Sequence, residues 1–237
     1  MKRALKWLIP VLTLAGIVFG FFTYTGIYYH TDKSVLGTLN SSETVTVEKT
    51  NYGYYFDGPS EDDLLVFYPG AKVEETAYAP LLHLLAESGM DVCLVRMPLR
   101  LAIFGKDKIN GILPLYEHTN VYIGGHSLGG AMAADYAAKN AEKLSGVILL
   151  AAYPTKQIDE KLTVLSIYGS EDGVLKKDKV IEGRKYVTAN YYEFVIEGGN
   201  HAMFGNYGAQ SGDGKATISD GEQQRLTVEY IIENIKA

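Results

Sequence analysis

Ser127 lies in Gly125-His126-Ser127-Leu128-Gly129, a serine with a glycine two places to either side. A serine hydroxyl is a poor nucleophile until a base takes its proton during attack, and the base needs an acid to fix its tautomer. In a G-x-S-x-G elbow a strand turns sharply into a helix, and the serine at the strained point has its hydroxyl pushed outward. Side chains at Gly125 and Gly129 would collide with the neighbouring strand and helix, so glycine is a steric requirement at both.

The partners are expected just past later strands, in the order Ser, Asp or Glu, His. Asp172, in Tyr168-Gly169-Ser170-Glu171-Asp172-Gly173, follows Ser127 by 45 residues, and Glu171 beside it is the alternative acid. By itself that stretch reads as a polar turn; the preceding serine motif gives it weight. His201, in Glu197-Gly198-Gly199-Asn200-His201, follows Asp172 by 29 residues. Of the other histidines, His30 borders an apolar segment, His83 falls in an amphipathic helical pattern and His118 precedes a strand. His126 belongs to the elbow, where its side chain is expected to point away from the reacting centre. His201 is therefore the expected base. A tetrahedral oxyanion needs two backbone N–H donors. Leu128 is expected to supply one, and the loop Pro69-Gly70-Ala71-Lys72 the other, from Ala71 or, failing that, Lys72.

These groups need a frame that ends strands at one edge. Asn120–Gly124 is a short apolar run before the elbow, and the Ala-rich stretch Leu128–Lys139 behind it is a helix former. Leu64–Tyr68, Asp91–Arg96, Gly146–Ala152, Leu162–Tyr168 and Tyr191–Ile196 read as further strands, several of them almost wholly apolar, as strands buried on both faces are. Thr44–Glu48 and Tyr52–Asp57 read as two short leading strands. Helices are expected over Tyr78–Ser88, capped by Gly89, near Leu101–Leu115, and from about Asp220, where Ser219 and Glu222 form a capping-box pattern. Alternating strands and helices predict an α/β fold with a mostly parallel sheet covered on both faces.

The first thirty residues stand apart. Lys2, Arg3 and Lys6 precede 23 residues, Trp7–Tyr29, that hold no Asp, Glu, Lys or Arg. About 20 apolar residues suffice to cross a bilayer as a helix, and Trp7 and Tyr24, Tyr28 and Tyr29 sit where interfacial aromatics belong. A cleaved signal peptide is the rival reading, but its apolar region should be shorter, about 7–15 residues, and be followed by small residues, where Tyr24–Tyr29 is bulky. The reading is a single-pass signal anchor over residues 1–30, its N-terminus cytoplasmic, followed by a polar tether over 31–43 and one extracytoplasmic domain over 44–237. The formal net charge is −6, and the first thirty residues contribute three positive charges and no negative one, which leaves −9 on the remainder. An acidic domain repels phosphate backbones, which argues against nucleic acid as a partner. The single cysteine, Cys93, sits in an apolar run and reads as a small buried hydrophobe; no intramolecular disulfide is possible. No H-E-x-x-H or spaced Cys/His cluster is present, so neither a metal nor another cofactor is expected.

Gly-His-Ser-Leu-Gly, Gly-Ser-Glu-Asp-Gly and Gly-Gly-Asn-His, in that order, resemble the nucleophile, acid and base segments of the α/β-hydrolase superfamily, over roughly residues 44–237. More narrowly, Phe67–Val73 and Val95–Pro98 resemble a small, membrane-anchored bacterial branch related in fold to dienelactone hydrolases. The chain departs from many members by having Pro69-Gly70 where they have His-Gly. Only about ten residues separate Ala152 from Leu162, where lipases insert a helical cap, so no cap domain is expected. The resemblance implies a serine hydrolase acting on a small-molecule carboxylic ester, thioester or lactone. A peptidase or acyltransferase would use the same triad, and a non-catalytic tethered binding domain is the reading from another class. The segment 202–217, directly after His201, is either part of the pocket rim or an ordinary surface loop.

Overall fold

Strand β3 (Asp63–Tyr68) shows how the sheet is held, since all six of its residues are buried. Its side chains alternate between two separate clusters, Leu64, Val66 and Tyr68 on one face and Leu65 and Phe67 on the other, as the two-residue period of a strand dictates. The structure is a computed structural model and describes residues 2–60 and 62–235. Met1, at the start of the expected basic stub, and residues 236–237, at the end of the expected domain, lie outside the described residues.

Around β3 the chain builds eight strands. These are β1 (Thr46–Lys49), β2 (Gly53–Asp57), β3, β4 (Asp91–Val95), β5 (Asn120–His126), β6 (Gly146–Leu150), β7 (Thr163–Gly169) and β8 (Tyr191–Ile196). The sheet order is β1-β2-β4-β3-β5-β6-β7-β8. From β4 to β8 every pairing is parallel, and β2 is antiparallel to both neighbours. Helices α2 (Ala79–Glu87), α5 (Lys177–Gly183) and α6 (Asp220–Ile235) bury Leu81, Leu82, Leu85, Val180, Val228 and Ile231 in one cluster. On the other face α3 (Ile109–Ile112) and α4 (Leu128–Ala137) bury Ile109, Ile112, Ala133, Ala134, Tyr136 and Ala137. The mostly parallel, doubly covered sheet expected from the alternation is the one observed. Residues 151–162 join β6 to β7 without a helix, so no cap stands over this edge. Cys93 is buried in β4, and burial pushes its thiol up to about 12, which removes thiolate chemistry at neutral pH.

The helix expected near Leu101–Leu115 is broken into short turns at Pro98–Arg100, Ala102–Phe104 and Leu113–Leu115 with α3 between them. Gly105, Gly111 and Pro114 deny the segment a continuous helical ladder. Helix α1 (Lys2–Gly26) projects from the domain, and its stretch Ile9–Gly26 has a mean hydropathy of 1.6, long and apolar enough to cross a membrane. The chain that follows lies on the domain surface. Tyr29 bridges to Val73 in parallel, Asp32 N–H donates to the Asn206 carbonyl at 2.8 Å, and the His83 ring meets the Thr38 carbonyl at 3.0 Å. Residues 31–43, expected as a polar tether, thus include a turn (Lys33–Leu39) that rests on the domain.

Candidate active site

At the carboxyl end of β5 the chain turns into α4 through Ser127, whose φ is +54° and ψ is −120°. A non-glycine residue in such a region carries strain of about 1–3 kcal/mol, and only an over-determined surrounding keeps it there. The Ser127 N–H donates to the Leu150 carbonyl at 2.9 Å, and its carbonyl accepts from Ala131 N–H at 3.0 Å. The flanking glycines let the backbones close in. A Cβ on Gly125 would lie 2.3 Å from the Tyr68 carbonyl oxygen, and one on Gly129 would lie 2.0 Å from it. The steric requirement read from the motif is met by the backbone of β3.

Past β7 and β8, two loops bring Asp172 and His201 together. His201 Nδ1 lies 2.8 Å from Asp172 Oδ2, and both side chains are almost fully buried. The other carboxylate oxygen accepts from Val174 N–H at 2.9 Å and Leu175 N–H at 2.7 Å. A carboxylate so filled is an acceptor only, so a neutral His201 carries its proton on Nδ1 and keeps a lone pair on Nε2. That Nε2 is buried and has no hydrogen-bond partner among the described residues. Glu171, the alternative acid, is exposed and takes a hydrogen bond from Ser170 instead.

Ser127 and His201 line one cleft of about 520 Å³, together with Leu128, Met132, Ala152 and Leu175, and no hydrogen bond joins the serine to the histidine. Such bonds are often long before a reacting group arrives and tighten in the complex. Asp135 and Lys156 also line this cleft. Asp135 accepts from Lys106 at 2.6 Å, from Lys156, and from Lys139 at 3.2 Å. The Lys106 contact, with those of the other two lysines, holds the Asp135 carboxyl well below the usual range.

The backbone donors near the elbow differ in what they are free to do. Lys72 N–H is committed to the Arg100 carbonyl at 2.8 Å, and Gly70 N–H to the Tyr78 hydroxyl at 3.0 Å. The N–H groups of Ala71 and Leu128 make no hydrogen bond among the described residues. The Tyr78 hydroxyl accepts from Gly70 N–H and forms a hydrogen bond with His126 Nδ1 at 2.8 Å. His126 was expected to point away from the centre. Its ring instead packs against that of His201, with centroids 4.5 Å apart. Burial, and then the neighbouring His201, hold the His126 imidazole well below its ordinary pKa, so it is neutral.

Two supports were not foreseen. Asp213, in the 202–217 segment, accepts N–H bonds from Gly173 at 3.1 Å and His201 at 3.2 Å on Oδ1, and from Ala202 at 2.9 Å on Oδ2. One carboxylate thereby ties the acid loop to the base loop. Gln223 of α6 exchanges two bonds with the Asn200 backbone, at 2.9 and 2.8 Å, and fixes the base loop from beneath. Glycines at 212 and 214 around a lone aspartate were the available signal for Asp213. Nothing in the sequence pairs Gln223 with Asn200.

Comparison with known proteins bears on the family and the fold. The profile described as the alpha/beta hydrolase family matches residues 64–225. No significant match was found among curated proteins. Among solved structures, a CIB-like hydrolase from Thermoplasma acidophilum is 16% identical over 80% of this chain and 99% of its own, with a TM-score of 0.56. A monoacylglycerol lipase from Paleococcus ferrophilus is 15% identical over 80% and 99%, with a TM-score of 0.59. A bacterial membrane phospholipase A is 13% identical over 99% and 100%, with a TM-score of 0.59. At these identities the structures speak to the fold, and the family match covers most of the chain from β3 into α6. The chain belongs to the alpha/beta hydrolase family.

Proposed function

We propose that the chain is a membrane-anchored serine hydrolase that cleaves a carboxylic ester, thioester or lactone through an acyl-enzyme on Ser127. The reading rests on one observation above the others: a buried Asp172–His201 pair leaves Nε2 unpartnered beside the cleft that a strained serine also lines. Ser127 Oγ attacks the substrate carbonyl carbon while its proton passes to His201 Nε2, and Asp172 stabilises the imidazolium. The oxyanion takes the N–H groups of Leu128 and Ala71; the commitment of Lys72 N–H elsewhere favours Ala71 as second donor. Collapse expels the alcohol or thiol, which takes the proton from Nε2. Water then loses a proton to Nε2, attacks the acyl carbon, and releases the acid as Ser127 regains its proton.

In this reading α1 is an uncleaved anchor, with Lys2, Arg3 and Lys6 on the cytoplasmic side and the domain outside. The structural likeness to a membrane phospholipase A, which extends over almost the whole chain, supports an anchored arrangement. Fluorophosphonate labelling tests the chemistry. Wild type is expected to be labelled at Ser127, and Ser127→Ala to be unlabelled while still folded. An unlabelled, folded wild type rejects the mechanism.

A further inference from the structure

The turns that follow β4 carry apolar side chains that the domain leaves uncovered. Ile103 is 55% exposed, Phe104 53% and Leu99 39%. They stand beside α1, and three ring contacts follow one another, two on that helix and one just past its end at Gly26. Phe104 meets Phe21 edge to face, with centroids 6.3 Å apart. The Lys72 ammonium lies 3.9 Å from the Tyr24 ring centroid, and the Arg100 guanidinium 3.3 Å from that of Tyr28. Phe21 is five residues before the end of α1 at Gly26. With a rise of about 1.5 Å per residue, the Phe104 contact lies about 7 Å down the helix from its end. Phe21 also falls inside the apolar stretch Ile9–Gly26. A helix that crosses the bilayer with Gly26 at the outer boundary therefore carries Phe104 below that boundary. That depth matches the roughly 5–10 Å at which amphipathic elements bury their apolar faces. The two cations stand above it against tyrosines, at the level where aromatic belts meet headgroups.

The same loop borders the candidate site. Lys106, two residues past Phe104, donates to Asp135, which lines the cleft with Ser127. Lys72 adjoins Ala71, the proposed oxyanion donor. The exported part carries −9 of formal charge, so general electrostatic attraction to an anionic surface is not available to hold it there. An apolar contact supplies the adhesion instead.

We infer that Leu99, Ile103 and Phe104 insert into the leaflet that receives the end of α1, so that the domain rests on the bilayer beside its cleft and takes ester-bearing lipids from the membrane. The inference rests on the hydrolase reading and on α1 crossing the membrane, and the test separates the three. The full chain, in a Cys93→Ala background, is reconstituted into phosphatidylcholine vesicles with a minority of phosphatidylglycerol. An environment-sensitive fluorophore is placed by Phe104→Cys, by Phe19→Cys within α1, or by Glu142→Cys on the turn before β6. Nitroxide-bearing lipids are expected to quench the label at 104 and at 19 and to spare that at 142. Quenching at 19 with none at 104 overturns the inference. No quenching at 19 removes the spanning helix and the inference with it. A second arm uses Ile103→Ser with Phe104→Ser. The ratio of turnover on vesicle phospholipid to turnover on p-nitrophenyl butyrate is expected to fall by about fivefold or more. An unchanged ratio overturns the lipid-substrate part. Loss of both activities in the unsubstituted protein rejects the hydrolase reading, and the label positions still decide whether the loop inserts.

Discussion

His201 has two ring nitrogens with different fates, and much of the proposed chemistry follows from that difference. Nδ1 is bound to a buried carboxylate whose other oxygen is filled by two N–H groups, while Nε2 is left open. Ser127, Asp172 and His201 could be singled out as candidates in the sequence because each combines a distinctive residue type with a glycine-bearing turn after an apolar run. Asp213 was not, since its action is to receive backbone N–H groups from residues 12 and 40 positions away, and backbone donors leave no mark on composition. Asp213→Ala is expected to lower kcat by about 10- to 100-fold with little change in KM, because both loops lose their shared clamp. Asp213→Asn keeps the Oδ1 contacts and is expected to recover most of the loss; equal loss in both variants would contradict a positioning role. His126 gives a pH prediction. Its folded-state pKa is held well below the ordinary value near 6.5, so below that pH the unfolded chain binds a proton that the folded chain does not. Stability is therefore lost as pH falls through that window, by up to about 1.4 kcal/mol per pH unit from this group. Denaturant titrations at pH 7 and pH 5 should show a smaller difference for His126→Asn than for wild type.

Among the elements, the β5–α4 corner is the most constrained, and the motif glycines report it faithfully. A methyl on Gly129 would meet the Tyr68 carbonyl oxygen at 2.0 Å and the Pro69 carbonyl oxygen at 2.5 Å, both on backbone that cannot step aside. Gly129→Ala is expected to cost about 3 kcal/mol or more, or to prevent folding. Gly221, in the first turn of α6, meets nothing within 4 Å, so Gly221→Ala should be neutral or stabilising by up to about 1 kcal/mol. Equal effects of the two substitutions in chemical denaturation would contradict the packing described. Strands were legible because burial on both faces demands continuous apolar runs. The region near Leu101–Leu115 was misread as one helix because its apolar spacing is helical while Gly105, Gly111 and Pro114 interrupt the backbone. Short turns at Ala102–Phe104 and Leu113–Leu115, with α3 between them, replace it, and spacing carries no trace of them.

At the scale of the molecule, sequence separated an apolar N-terminal helix from an acidic domain, and the structure adds how the two meet. Tyr28 to Leu39 lies on the domain, through the Tyr29–Val73 bridge and the Asp32–Asn206 bond. Polar composition suggested a loose tether because Thr, Asp and Ser serve equally in linkers and in capped turns; the Asp32 side chain, accepting from Ser34 N–H at 2.9 Å, makes it the latter. The proposed orientation predicts that protease added outside intact cells digests the domain, or that a periplasm-active reporter fused at the C-terminus is active. A reporter active only in the cytoplasm would contradict it.

The most direct test compares wild type with Ser127→Ala and His201→Ala as full chains, using short p-nitrophenyl esters and a fluorophosphonate. Turnover and labelling at Ser127 are expected in wild type, neither in Ser127→Ala, and turnover reduced by at least about 10³-fold in His201→Ala. Turnover that survives Ser127→Ala undiminished would contradict the central claim.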